Sequence, residues 1–149
     1  MKKALYFAGP LFNKAEREFN SYLCSQIENL DFNVFLPQRD GAELDKPPYQ
    51  EMTPSQRNTA IFNLDVEQVS RADVFLFVLD GRVPDEGACF ELGMAYNQKV
   101  QNNLDKIILG LLTDIRAAFI DSKLNAMLAG AFDMVFNQEK DLIDYLKKL

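Results

Sequence analysis

Residues 73–79 read Asp-Val-Phe-Leu-Phe-Val-Leu (DVFLFVL), six consecutive apolar side chains behind a single aspartate and closed by Asp80-Gly81. A run this short, rich in β-branched and aromatic residues and bounded by a turn dipeptide, reads as a strand. Apolarity at every position, rather than at every second one, is what a strand buried on both faces requires. The stretch therefore predicts the central strand of a parallel sheet with helices above and below it. Upstream, Thr53-Pro54 opens a helix running to about Arg71, with threonine as cap and proline in the first turn. Downstream, a helix from about Asp85 to Val100 is followed by a strand at Lys106–Leu112.

The same alternation continues outward in both directions. Lys3–Ala8 (KALYFA) is a buried first strand ending in the sharp turn Gly9-Pro10, and Phe32–Leu36 is a second strand stopped by Pro37. Between them, Ala15, Phe19, Tyr22, Leu23, Ile27 and Leu30 recur at helical intervals over Asn13–Leu30, with Asn13 available as a cap. Gln38–Pro54 collects Gly41, Pro47 and Pro48 without periodicity and reads as a loop of the kind that borders active sites. Ser122–Ala129 is read as a short helix, Phe132–Phe136 as a last strand and Gln138–Leu149 as a closing amphipathic helix. The fold class is α/β: one domain over residues 1–149, a flavodoxin-like or Rossmann-like three-layer fold with a five-stranded parallel sheet and strand 1 also central.

Composition narrows the chemistry. Sixteen Lys and Arg against 22 Asp and Glu give a net charge of −6, without the basic stripe that a nucleic-acid polymer needs. The apolar runs are too short to span a bilayer, and Met1-Lys2-Lys3 leads straight into a strand, so no membrane partner is expected and the chain is read as cytoplasmic. Histidine is absent and Cys24 and Cys89 lack metal-ligand spacing, which argues against zinc and against Ser-His-Asp or Cys-His mechanisms. Any catalysis falls to carboxylates.

In open parallel folds ligands bind beyond the carboxyl ends of the strands. The turn after the first strand, GPLFN from Gly9, is neither a G-x-G-x-x-G fingerprint nor a P-loop, so a generic NAD or ATP site is not expected. Asp80–Tyr96 (DGRVPDEGACFELGMAY) is the richest segment: Asp85 is placed to cap the helix, and Glu91 falls in its second turn beside Ala88 and Ala95. Gly87 and Gly93 weaken a helix by about 1 kcal/mol each, which implies a close approach to the backbone there. On the preceding helix, Asp65 stands among Ile61, Leu64, Val66 and Val69 and can be a partly buried acid or a residue at a pocket rim, while pattern alone favours a salt-bridged surface acid; Asp73 reads as structural.

With YFAGPLF, NLD before an Ala-Asp-plus-apolar strand, PDEGACFELGMAY and LNAML in this order, the chain resembles the nucleoside 2-deoxyribosyltransferase family over nearly its whole length. The resemblance implies exchange of the purine or pyrimidine base of 2′-deoxyribonucleosides by a retaining double displacement, with no metal and no cofactor. It makes Glu91 the nucleophile that forms a covalent deoxyribosyl-enzyme, and Asp65 and Asp85 the acids that bind the base edge and assist its protonation. It assigns Tyr6, Gly9 and Phe12 to the sugar and base pocket, and Gln38 and Asp40 to base contact. Asn125 and Met127 match residues that reach the nucleophile from a neighbouring subunit, implying a homo-oligomer, a dimer or an assembly of dimers. The family's aromatic residue near the C-terminus has no clear counterpart, since the chain ends Tyr145-Leu146-Lys147-Lys148-Leu149.

Two other readings compete. A hydrolase of the same superfamily cleaves deoxynucleoside 5′-monophosphates with water as acceptor, and it needs a phosphate pocket in the Gly9–Arg17 turn, where Pro10, Leu11 and Phe12 stand instead. A nucleotide-binding module without turnover is the other, and the presence of Glu91 with Asp65 and Asp85 argues against it.

Overall fold

The structure is a computed structural model and describes residues 2–42, 46–102, 105–114, 116 and 124–149. Five parallel strands, β1 (Ala4–Ala8), β2 (Asn33–Phe35), β3 (Val74–Val78), β4 (Ile107–Leu111) and β5 (Met134–Phe136), form one sheet in the order β2-β1-β3-β4-β5. β3, the core of DVFLFVL, holds the middle position, and β1 lies beside it rather than at the centre. The flavodoxin-like expectation is met.

The reason for the uninterrupted apolar run is visible in its two faces. Val74, Leu76 and Val78 point into one cluster with Leu5, Phe7, Leu109 and Leu111, covered by α1 (Lys14–Glu28) and the last helix, α6 (Glu139–Leu146). Phe75 and Phe77 point into the other with Tyr6, Ala8 and Ile108, covered by α3 (Pro54–Arg71) and α4 (Glu86–Asn102). Strand periodicity of two delivers alternate residues to two cores, each of which removes them from water.

Helix boundaries follow their caps. Asn13 accepts from the Glu16 amide while Glu16 reaches back to the Asn13 amide, a reciprocal capping box, and Thr53 and Gln56 repeat it ahead of α3. Asp73 accepts from the Ala4 amide at 2.8 Å and ties β1 to β3 at the edge away from the ligand side, the structural role expected of it.

Three expectations need correction. Pro37 stops β2 but also begins a helical turn, α2 (Pro37–Asp40), and Tyr49–Glu51 forms a 3-10 turn, so part of the expected loop is ordered, while its residues 43–45 lie outside the described residues. The expected helix from Ser122 is described only over α5 (Ala126–Ala129), and residues 122 and 123 lie outside the described residues. Tyr22, counted among the apolar residues at helical spacing in Asn13–Leu30, is more than half exposed.

Candidate active site

The connection from β1 to β2 runs one way across the sheet and that to β3 runs the other, so a crevice opens where these strands end. A cavity of about 480 Å³ occupies it. The turn after β1 supplies Gly9 and Phe12, α3 supplies Arg57, Ile61 and Asp65, and the start of α4 supplies Asp85, Gly87 and Glu91. Gly9 has φ +153°, and a Cβ there would lie 3.1 Å from both the Cβ and the carbonyl oxygen of Val78. Only glycine lets the chain leave β1 this close to β3.

Tyr6 comes up from the sheet beneath the crevice, fully buried and stacked between Phe35 and Phe75, with ring centroids at 5.5 and 5.7 Å. Its hydroxyl donates to Glu91 Oε1 at 2.8 Å. The α4 helix presents Glu91 inward because Ala88, Leu92 and Ala95 on the same side are buried against the sheet. Asp85 caps that helix, its Oδ2 accepting from the Ala88 amide at 2.9 Å.

Glu91 and Asp65 have no ion-pair partner among the described residues. Burial pushes the Glu91 carboxyl up to about 7; the Tyr6 hydrogen bond opposes this, and the charges of Asp65 and Asp85 add to it. Burial likewise pushes Asp65 up to about 6, against a smaller downward pull from Tyr6. Tyr6 itself is held far above the usual phenol range by burial and by both carboxylates. Two carboxyls pushed up towards neutrality around one hydroxyl have the chemistry to supply a nucleophile and a proton donor in one pocket. The surface salt bridge favoured for Asp65 from pattern alone is not found among the described residues, because α3 turns that residue towards α4 and the crevice.

Not every expected residue meets them. Gln38 borders a wider groove of about 840 Å³ on the outer side of α1 and is fully engaged there, accepting from Asn20 and donating to the Arg17 carbonyl and Ser21. Asp40 is bound by Arg39 and the Leu36 amide. Neither lines the cavity with Glu91. Asn125 caps α5 by accepting from the Met127 amide, and Met127 is 82% exposed, so within one chain they stay away from Glu91. Tyr145 packs on Phe136 in the cluster on the opposite face of the sheet. Gly93 has no atom within 4 Å of its Cβ position among the described residues, so the close approach expected there does not come from them. Sequence reasoning missed Arg57 and took Ile61 only as part of an apolar face, although Arg57, Ile61 and Asp65 follow one another at intervals of four and so mark one helix face.

Among the described residues, no group of three His, Cys, Asp or Glu is placed to hold a metal ion, and no helix is long and apolar enough to cross a membrane.

The class so defined is a parallel α/β protein with an unpaired carboxylate pair at its topological switch point. A family model for nucleoside 2-deoxyribosyltransferase matches residues 5–143, and the chain belongs to that family of enzymes. Among solved structures, a conserved protein from Enterococcus faecalis V583 is similar over 99% of both chains, with 28% identity and a TM-score of 0.77. A 2-deoxyribosyltransferase from Bacillus psychrosaccharolyticus shares the fold at TM-score 0.75 and 22% identity, covering 95% of this chain and 91% of that one. A CMP N-glycosidase from Clostridium botulinum does so at TM-score 0.57 and 17% identity, covering 97% and 98%. A search of curated proteins finds no match.

Proposed function

We propose that the protein transfers the 2-deoxyribosyl group of a 2′-deoxyribonucleoside from one purine or pyrimidine base to another, retaining anomeric configuration. The observation that carries this reading is the hydrogen bond from buried Tyr6 to Glu91, which aims an otherwise unpartnered carboxylate into a cavity shared with Asp65 and Asp85. Glu91 attacks the anomeric carbon as the carbon–nitrogen bond breaks; that bond's electron pair stays on the base nitrogen, which takes the proton from Asp65. An incoming base then attacks the same carbon, its nitrogen returns a proton to Asp65, and the Glu91 carboxylate leaves. Asp85, with Oδ1 free of any described partner, assists at the base edge. No metal or cofactor takes part.

A free nucleoside is favoured over a 5′-monophosphate because the turn after β1 presents Pro10, Leu11 and Phe12, while the Asn13 side chain is consumed in its capping box. Oligomerisation completes the site: Asn125 and Met127 of one copy meet Glu91 of another. Phe12, Phe62, Phe90 and Met127, each more than half exposed, supply the apolar surface for such an assembly. The test is a chromatographic assay with thymidine plus adenine and deoxyinosine plus cytosine, alongside wells lacking acceptor or containing 5′-monophosphates. New deoxynucleoside is expected; base released only from a monophosphate would instead establish the hydrolase.

A further inference from the structure

Among the described residues, Arg57 is the one cation lining the cavity that holds Glu91, Asp65 and Asp85. Arg57, Ile61 and Asp65 follow each other at intervals of four on α3, so one stripe of the helix runs guanidinium, alkyl, carboxylate along the cavity wall over roughly 12 Å. Among the described residues the guanidinium makes a single hydrogen bond, from Nη2 to the Met52 carbonyl at 3.1 Å, and its Nε–H is closed off from solvent without a described acceptor. Arg39, Arg71 and Arg116 each hold a carboxylate, whereas Arg57 holds none among the described residues. An arginine partly withdrawn from water, anchored at one nitrogen and short of acceptors is set to take them from a ligand.

A guanidinium only donates. Base edges differ at this point: guanine, hypoxanthine, thymine and uracil carry a carbonyl oxygen where adenine and cytosine carry an amino group, itself a donor. Ile61, between the carboxylates and the guanidinium, together with Leu11 and Ala42, makes that part of the wall apolar, which suits the face of a ring and not a phosphate.

We propose that Arg57 determines base specificity by donating to the exocyclic oxygen of the base, so that oxo bases are preferred over amino bases. This rests on the deoxyribosyl transfer proposed above and names its substrate class.

Deoxyinosine and deoxyadenosine, which differ only in the group on C6 and in the proton that the oxo form carries on N1, are compared as donors to a common acceptor, cytosine. The wild-type ratio of kcat/KM is expected to favour deoxyinosine by about tenfold or more. Arg57→Met, which keeps the bulk of the side chain, brings the ratio within about threefold of unity, with the deoxyinosine loss residing in KM; Arg57→Lys falls between. A wild-type ratio near unity, or an undiminished ratio in Arg57→Met, overturns the proposal, since a merely structural arginine lowers both donors together. Calorimetric titration of the Glu91→Gln protein with hypoxanthine and with adenine separates this from the transfer reading. Tighter hypoxanthine binding that is lost on adding Arg57→Met supports the assignment even if no transfer is found, and equal affinities overturn it. Selective loss of activity on deoxyinosine monophosphate in Arg57→Met, with deoxyinosine spared, makes the guanidinium a phosphate reader and likewise overturns it.

Discussion

Beside α1, Asp40 accepts from Arg39 and from the Leu36 amide, which together hold its carboxyl below the usual range against the upward push of burial. Across the sheet, Asp65 and Glu91 are buried more deeply, form no ion pair among the described residues, and are pushed up to about 6 and about 7. The same chemical group is a structural tie on one side and a group poised near neutrality on the other. What separates them is their surroundings: on one side a fork of arginine donors, on the other a single phenol shared between two acids. An unpaired buried carboxylate costs folding free energy, so a pair of them at the strand ends marks where the fold carries its chemistry.

The contrast breaks first at Glu91. Glu91→Gln keeps the acceptor for Tyr6 but cannot form the ester, and is expected to lower transfer by at least about 10³-fold in the chromatographic assay while the circular dichroism spectrum stays native. Asp65→Asn is expected to lower kcat by about 10²-fold, with a loss that depends on the leaving base; a uniform small loss would return Asp65 to a structural role.

Tyr6→Phe tests the shared hydroxyl. In the proposed mechanism Glu91 acts ionised and Asp65 protonated, so kcat/KM has an acid limb below about pH 6, a maximum between about 6 and about 7 and a fall above that. The Tyr6 hydrogen bond favours the ionised form of both carboxyls, and its removal moves the acid limb to higher pH, with a loss of about fivefold at pH 6. A pH–rate profile that keeps its limb in place would disconnect Tyr6 from the nucleophile.

The stability of the protein should carry the same signature. Glu91 and Asp65 bind protons more tightly folded than unfolded, so the stability they contribute is complete below about pH 4 and is lost as pH rises through about 6 to 7. Glu91→Gln removes a penalty on the order of 1–3 kcal/mol at pH 8, raising Tm there by about 3 °C or more, and the gain shrinks towards pH 5. At the other extreme, Tyr145→Phe, which alters the opposite face, should leave kcat within about twofold.

Much of this was legible in the sequence. DVFLFVL placed the middle strand because six apolar residues in a row have no other economical explanation than two covered faces, and Thr53-Pro54 and Asn13 placed two helix starts through capping chemistry that is local. Glu91 was legible through the ELG motif. The setting of Asp65 was not, because whether a helical acid meets solvent or a crevice depends on where α4 packs against α3. Gln38 and Asp40 lie in a segment whose side chains turn towards α1, a choice made by Asn20 and Arg39 far away in sequence or hidden within a charged run. Arg57 drew no notice because its shortage of acceptors among the described residues is a property of the folded surroundings.

The covalent intermediate tests the central claim most directly. Enzyme mixed with deoxyinosine in the absence of acceptor is quenched in acid, digested and sequenced by mass spectrometry. The account predicts a deoxyribosyl adduct on Glu91 that disappears when cytosine is added before the quench, as deoxycytidine forms. Active enzyme that never carries the adduct, or carries it on another residue, would contradict it.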